Sequence, residues 1–156
     1  MTLLSIIIPV YNSRNTLEQL QKKIEQKVKT NHEIIFVNDD SKDNSWQVIK
    51  DIAAKNEDVL GINLLKNVGQ DNAIMAGLSF AKGDYIIIMD DDLQHDPSYI
   101  EDLYNKCKEG YDVVYATRNT AKLPFYKSFL KTMFYKIFKI FTNQEFNIPS
   151  NTGDFR

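Results

Sequence analysis

Apolar residues follow two rhythms along the chain. Short unbroken runs rich in Ile and Val stand at 4–10 (LSIIIPV), 33–38 (EIIFVN), 59–65 (VLGINLL), 84–89 (DYIIIM) and 111–117 (YDVVYAT). Runs of that length and composition predict strands. Between them, over 14–29, 43–55, 70–81 and 97–108, apolar positions recur every three or four residues, which predicts helices. Strands alternating with helices make βαβ units, so the expected fold is α/β, with a mostly parallel central sheet flanked by helices. Continuous strands such as "IIIM" suit a sheet covered on both faces. No internal repeat and no Pro/Gly/Ser linker interrupts the pattern, and one domain is expected.

In an open parallel sheet, ligands bind beyond the carboxyl ends of the strands, so the residues just after each strand matter most. These read "YNS", "DDS", "KNVGQ" and "DDDLQ". Any one of them is equally well an ordinary polar turn; together they point to a site for a nucleotide or a cation. The last is the sharpest. Asp90, Asp91 and Asp92 follow a run of apolar residues, and neighbouring carboxylates repel and resist desolvation unless a cation sits among them. Asp90, Asp92 and Gln94 alternate, so an extended backbone would put them on one side as hard oxygen ligands for Mg2+ or Mn2+. Asp96 and Pro97 suit the start of the next helix, and His95 beside them suits a hydrogen-bonding role more than ligation.

Composition narrows the class. The 156 residues are 43% hydrophobic, enough for a real core. Cys107 is the single cysteine, which rules out a disulfide framework or a cysteine metal cluster, fits a reducing cytosol and suggests a buried thiol. The opening "MTLLSIIIPVYN" has no basic leader, and its apolar run stops at Pro9, well short of the ~20 residues of a membrane span. A soluble chain without a secretion signal is expected. The net charge of −2 conceals a local basic region: residues 113–144 hold six basic side chains and no acidic one. Within it, "FYKSFLKTMFYKIFKIF" (125–141) places Leu130, Met133, Phe134, Ile137, Phe138 and Phe141 at helical spacing, with Lys127, Lys131, Lys136 and Lys139 elsewhere. That pattern fits a core-facing amphipathic helix, and it also fits the headgroup boundary of an anionic membrane.

"SIIIPVYN", "EIIFVNDDSKDNS", "KNVGQDNAIMAG", "GDYIIIMDDDLQHDP", "DVVYATR" and "GDFR", in this order, resemble the GT-A-fold, family 2 inverting glycosyltransferases, and most closely the dolichol-phosphate mannosyl and bactoprenol glucosyl transferases that act on polyprenyl phosphates. The resemblance implies a metal-dependent transfer of sugar from a nucleoside diphosphate, UDP favoured over GDP, to a polyprenyl phosphate. It implies that Pro9, Tyr11, Asn12 and Asp39 line the nucleoside pocket, with Asp39 accepting from a base N–H and Asn67 and Gly69 shaping its wall. Asp90 and Asp91 would face ribose and diphosphate; Asp92 and Gln94, with Asp90, would hold the metal. Arg118 would meet the acceptor phosphate, and Asp154 would act as a base or orient the acceptor. The sequence departs from the family pattern at Ser13 (usually Glu), Asp40 (usually Gly) and Asp91 (usually small). Because family members continue past the closing "GDFR", often into membrane-spanning helices, a single catalytic domain truncated at its C-terminal end is expected, working at the cytoplasmic face of a membrane. The alternatives are transfer to a saccharide hydroxyl, which requires a carboxylate base, a nucleotidyltransferase, whose Gly-rich basic loop is missing near the N-terminus, and a non-catalytic nucleotide-binding module. A nucleic-acid partner is not expected.

Overall fold

The structure, a computed structural model, describes residues 3–116. Four strands, β1 (Leu4–Val10), β2 (His32–Asn38), β3 (Val59–Asn63) and β4 (Tyr85–Ile88), alternate with four helices, α1 (Leu17–Lys27), α2 (Ser45–Ala53), α3 (Gln70–Leu78) and α4 (Tyr99–Lys108). All pairings are parallel and the order is β3-β2-β1-β4. The chain therefore steps outward from β1 to β3 and then crosses back to β4 on the other side of β1. That reversal makes a crevice between the ends of β1 and β4, where an open α/β sheet binds ligands.

Every residue of β1 is buried. Successive side chains of a strand point to opposite faces, so Ile6 and Ile8 join Ile34 and Phe36 under α1, α2 and α4, while Ile7 joins Ile35 and Val37 under α3. Helix α1 meets the sheet through Leu17, Leu20, Gln21 and Ile24, the i, i+3, i+4, i+7 stripe of an amphipathic helix. On the opposite face, α3 approaches closely because Gly77 has no side chain: a Cβ there would lie 2.6 Å from Ile7 Cγ2.

Two expectations need correction. Residues 111–116 form no strand. Tyr-Asp-Val-Val-Tyr has the right composition, but strand formation depends on packing and pairing more than on intrinsic preference, and Val113 and Tyr115 are 64% and 83% exposed. Cys107 is only partly buried: it continues the Ile100 and Tyr104 stripe but stands in the last turn of α4. Arg118, Asp154 and the 125–141 segment lie outside the described residues; among the described helices none is long and apolar enough to cross a membrane.

The edge of the sheet opposite the crevice is fastened by carboxylates. Glu33 Oε1 accepts from the buried Ser5 hydroxyl (2.6 Å) and from the Lys82 N–H (2.7 Å). Glu101 of α4 reaches back to the turn before β2 and accepts from the N–H groups of Lys29 (2.7 Å) and Thr30 (2.8 Å) and from the Thr30 hydroxyl (3.1 Å). Partial burial alone would raise the Glu101 carboxyl, but these donors outweigh it and hold the group below its ordinary value. A carboxyl depressed in the folded state stabilises the fold above its unfolded pKa, and that contribution is lost as pH falls through the folded value. Glu101→Gln is accordingly expected to lower the thermal midpoint by about 2–4 °C at neutral pH. The difference should shrink in melts run at about pH 3, and a pH-independent difference would contradict this assignment.

Candidate active site

A cleft of about 470 Å3 opens at the carboxyl edge of the sheet, lined by Pro9, Val10, Tyr11, Asp39, Asn67, Gly69, Gln70, Asp90, Asp91 and Asp92. All four strand-end loops contribute. Each contains a residue with a positive φ: Asn12 (57°), Asp40 (54°), Gly69 (86°) and Leu93 (60°). Such angles let the chain turn back sharply at the strand ends, and they cost most for a residue like Leu. Leu93 offsets the cost by packing on the core. The Asp40 position, where glycine would be easiest, is accommodated, and the Asp40 carboxylate is paired with Lys42 Nζ at 2.6 Å.

Asp39 is 4% exposed, an expensive place for a carboxylate unless its oxygens are satisfied. Its Oδ1 accepts from Val68 N–H (2.8 Å) and its Oδ2 from Gly69 N–H (2.9 Å), and its carbonyl accepts from Asn67 Nδ2 (3.2 Å). The residue ending β2 thus fixes the loop that opens α3. Each oxygen retains a second lone pair for a ligand donor.

Across the cleft the three consecutive aspartates do different work. Asp90 Oδ1 accepts from Gln70 Nε2 at 3.0 Å, and its Oδ2 lies 3.8 Å from His95 Nδ1. Asp92 Oδ1 accepts from the Gln94 N–H (2.9 Å), a turn that leaves its other oxygen available. Asp91 leans toward β1, where its Oδ2 accepts from Tyr11 N–H at 3.3 Å. Burial pushes the Asp91 carboxyl up; the Ser13 hydroxyl and the Tyr11 amide oppose this, while the neighbouring Asp92 charge adds to it. Ser13 and Asp91, two positions where the sequence departs from the family pattern, are therefore neighbours in space.

The cleft brings together Pro9, Tyr11, Asp39, Asn67, Gly69, Asp90, Asp91 and Asp92, as the sequence suggested. Asn12 and Gln94 do not line it. Asn12 Oδ1 instead accepts from the Lys42 N–H (2.7 Å), and its own N–H donates to Ser41 Oγ (3.0 Å), so it ties the β1 loop to the β2 loop. Gln70 was missed. It is the first residue of α3, and the signal was its place directly after Gly69 in a loop already picked out.

Two carboxylates with oxygens turned to a shared cleft are the donor set that hard divalent cations take, with waters or substrate oxygens completing the shell. Asp90 and Asp92 fit that description in chemistry, although among the described residues no group of three His, Cys, Asp or Glu side chains is gathered closely enough to hold a metal ion by itself.

The chain matches the family profile described as glycosyl transferase family 2 over residues 5–156. It belongs to that family. An uncharacterized glycosyltransferase of Synechocystis sp. is 41% identical over 157 residues, covering 98% of this chain and 49% of that protein. The undecaprenyl-phosphate 4-deoxy-4-formamido-L-arabinose transferase of Shewanella sediminis is 37% identical over 147 residues, covering 92% of this chain and 44% of that protein. The chain spans about half the length of these family 2 relatives. Among solved structures, S. aureus TarS 1–349 in complex with UDP-GlcNAc superposes with a TM-score of 0.62 at 23% identity, covering 80% of this chain and 37% of that one. The mannosyltransferase PcManGT from Pyrobaculum calidifontis, in complex with GDP-Man and Mn2+, gives a TM-score of 0.53 at 22% identity, covering 57% and 27%. These structural likenesses establish the GT-A fold.

For this family 2 domain the Asp39 staple makes a direct prediction. Asp39→Asn keeps one acceptor but turns an NH2 toward the Val68 or Gly69 N–H, so donor faces donor. The loss should be about 1–3 kcal/mol in denaturant unfolding, with faster hydrogen exchange at the Val68 and Gly69 amides. Unchanged exchange at both amides would contradict the role given to Asp39.

Proposed function

We propose that this domain binds a nucleoside-diphosphate sugar in the cleft and serves an inverting glycosyltransferase whose acceptor is a polyprenyl phosphate. The observation that carries this is the meeting of Asp39, the Gly69 loop and the acidic triplet at the crevice between β1 and β4, in a family 2 chain. On one wall, Tyr11, half exposed beside Pro9, offers a flat surface to a nucleobase, and the free lone pairs of Asp39 accept from a base N–H. On the other wall the acidic residues stand where the diphosphate would extend.

Asp90 and Asp92, with Gln94 beside them, would hold Mg2+ or Mn2+, which would offset the negative charge that develops on the diphosphate as it leaves. The remaining work belongs to the chain. Gln70 keeps Asp90 facing the cleft, and the Asp39 staple fixes the loop that forms the wall. A phosphate acceptor is ionised at neutral pH and needs positioning by cations more than a strong base. Arg118 is assigned to that positioning, and Asp154 to orienting the acceptor. UDP is the first nucleotide to test, although the structural neighbours were solved with both UDP-GlcNAc and GDP-Man. Relatives named for undecaprenyl phosphate support a lipid acceptor, which would set the protein at the cytoplasmic face of a membrane, with the basic 125–141 segment toward anionic lipid.

The test is calorimetric titration of UDP and GDP with Mn2+ or with EDTA. Binding should strengthen with the ion, and Asp92→Ala should remove that strengthening while preserving the melt; equal affinity in EDTA would overturn the metal assignment. Transfer of labelled sugar by a chain of the relatives' full length should go to polyprenyl phosphate, and transfer only to a saccharide would overturn the acceptor.

A further inference from the structure

Among the described residues, Asp91 is the one of the three aspartates that bonds across the crevice to the β1 loop. Asp90 bonds Gln70 at the start of α3, and Asp92 bonds within its own turn. Strands β1 and β4 pair from Leu4↔Tyr85 to Ile7↔Ile88. Past the ladder, Met89 N–H still reaches the Ile7 carbonyl at 3.0 Å. The Val10 carbonyl turns the other way, toward β2, and accepts from Asp39 N–H at 2.9 Å. Beyond that point the backbones of the two strand-end loops are linked by a side chain, Asp91 Oδ2 to Tyr11 N–H at 3.3 Å. The Ser13 hydroxyl, which donates to the Tyr11 carbonyl at 3.2 Å, is close enough to favour the ionised form of Asp91.

We propose that Asp91 is a positioning residue, and that its carboxylate bridges the crevice between β1 and β4 so that Tyr11 and the acidic loop are presented to a nucleotide in one fixed arrangement. Its role is distinct from contact with the donor or with an ion. The carboxylate faces the β1 loop, so the oxygen that accepts from Tyr11 is engaged with protein. Without this tie, no hydrogen bond among the described residues would hold the amide of the half-exposed Tyr11 to the acidic side of the crevice. The two walls of the cleft would then have to be ordered by the ligand, and affinity would fall by the cost of that ordering. The inference rests on the nucleotide-binding reading of the cleft, and the experiment separates the two.

The experiment compares Asp91→Ala and Asp91→Asn in the 156-residue chain. It measures amide hydrogen exchange at Tyr11 without nucleotide, and UDP and GDP affinity in excess Mg2+ and in EDTA. Asp91→Ala should speed exchange at Tyr11 and weaken binding of the tighter nucleotide by about tenfold, the scale of one lost hydrogen bond to a charged group. It should leave the ratio of affinities in Mg2+ and EDTA unchanged. Asp91→Asn retains an acceptor oxygen without the charge, so it should recover slow exchange and most of the affinity. Unchanged Tyr11 exchange in Asp91→Ala overturns the bridge. Altered exchange with unchanged affinity overturns its role in positioning. An Asp91→Asn variant with restored exchange and unrestored affinity, or a changed Mg2+ ratio, assigns Asp91 to ligand or ion contact and overturns the proposal. If the unsubstituted chain binds neither nucleotide, the functional reading fails and the positioning role falls with it.

Discussion

The constraint from which the rest follows is that four parallel strands, with β1 and most of β2 buried between helices, leave their ladders at a single edge. Parallel strands need crossover helices, and those helices cover both faces, so the irregular backbone gathers where the strands end. With the order β3-β2-β1-β4, the loops after β1 and β4 diverge from a shared origin at Ile7 and Ile88. The crevice that results is a product of chain direction and strand order. Its chemistry comes from the residues placed on either side.

That edge carries a cost which the carboxylates meet. Four positive-φ residues turn the chain back, and the turns expose N–H groups that no strand partner takes up. Asp39 accepts two of them from the Val68–Gly69 loop, and Asp91 accepts one from Tyr11. A buried carboxylate is stable only with such donors, and the loop amides are satisfied only with such an acceptor. Each side of the exchange requires the other. The same device recurs at the opposite edge, where Glu33 and Glu101 accept from Lys82, Lys29 and Thr30, and there it fastens the fold.

Much of this was legible in the sequence because burial dictates composition. The fully buried β1 reads as LSIIIPV and has the expected bounds, and the α1 stripe follows from its spacing. Helix starts were less legible: α1 begins at Leu17, since Thr16 N–H and its hydroxyl both bond the Ser13 carbonyl in a preceding turn. In the cleft, proximity to strand ends identified the residues, but side-chain direction was hidden. Asn12 was read as a ligand residue, yet its left-handed φ turns the loop so that its oxygen meets Lys42 N–H. Gln70 was passed over because only the fold brings the start of α3 opposite Asp90. The segment at 111–116 shows the converse, a strand-like composition without the pairing that would make it one.

The central claim is that this crevice is where a nucleoside diphosphate binds. The most direct measurement is residue-resolved amide chemical-shift mapping while UDP or GDP is titrated into the chain with Mg2+. The largest shifts should fall on Tyr11, Asp39, Val68 to Gln70 and Asp90 to Asp92, with α4 and the β4 residues Ile86 and Ile88 unmoved. Saturable shifts centred on α4 and the β4 edge, or no saturable shifts with either nucleotide, would contradict the account.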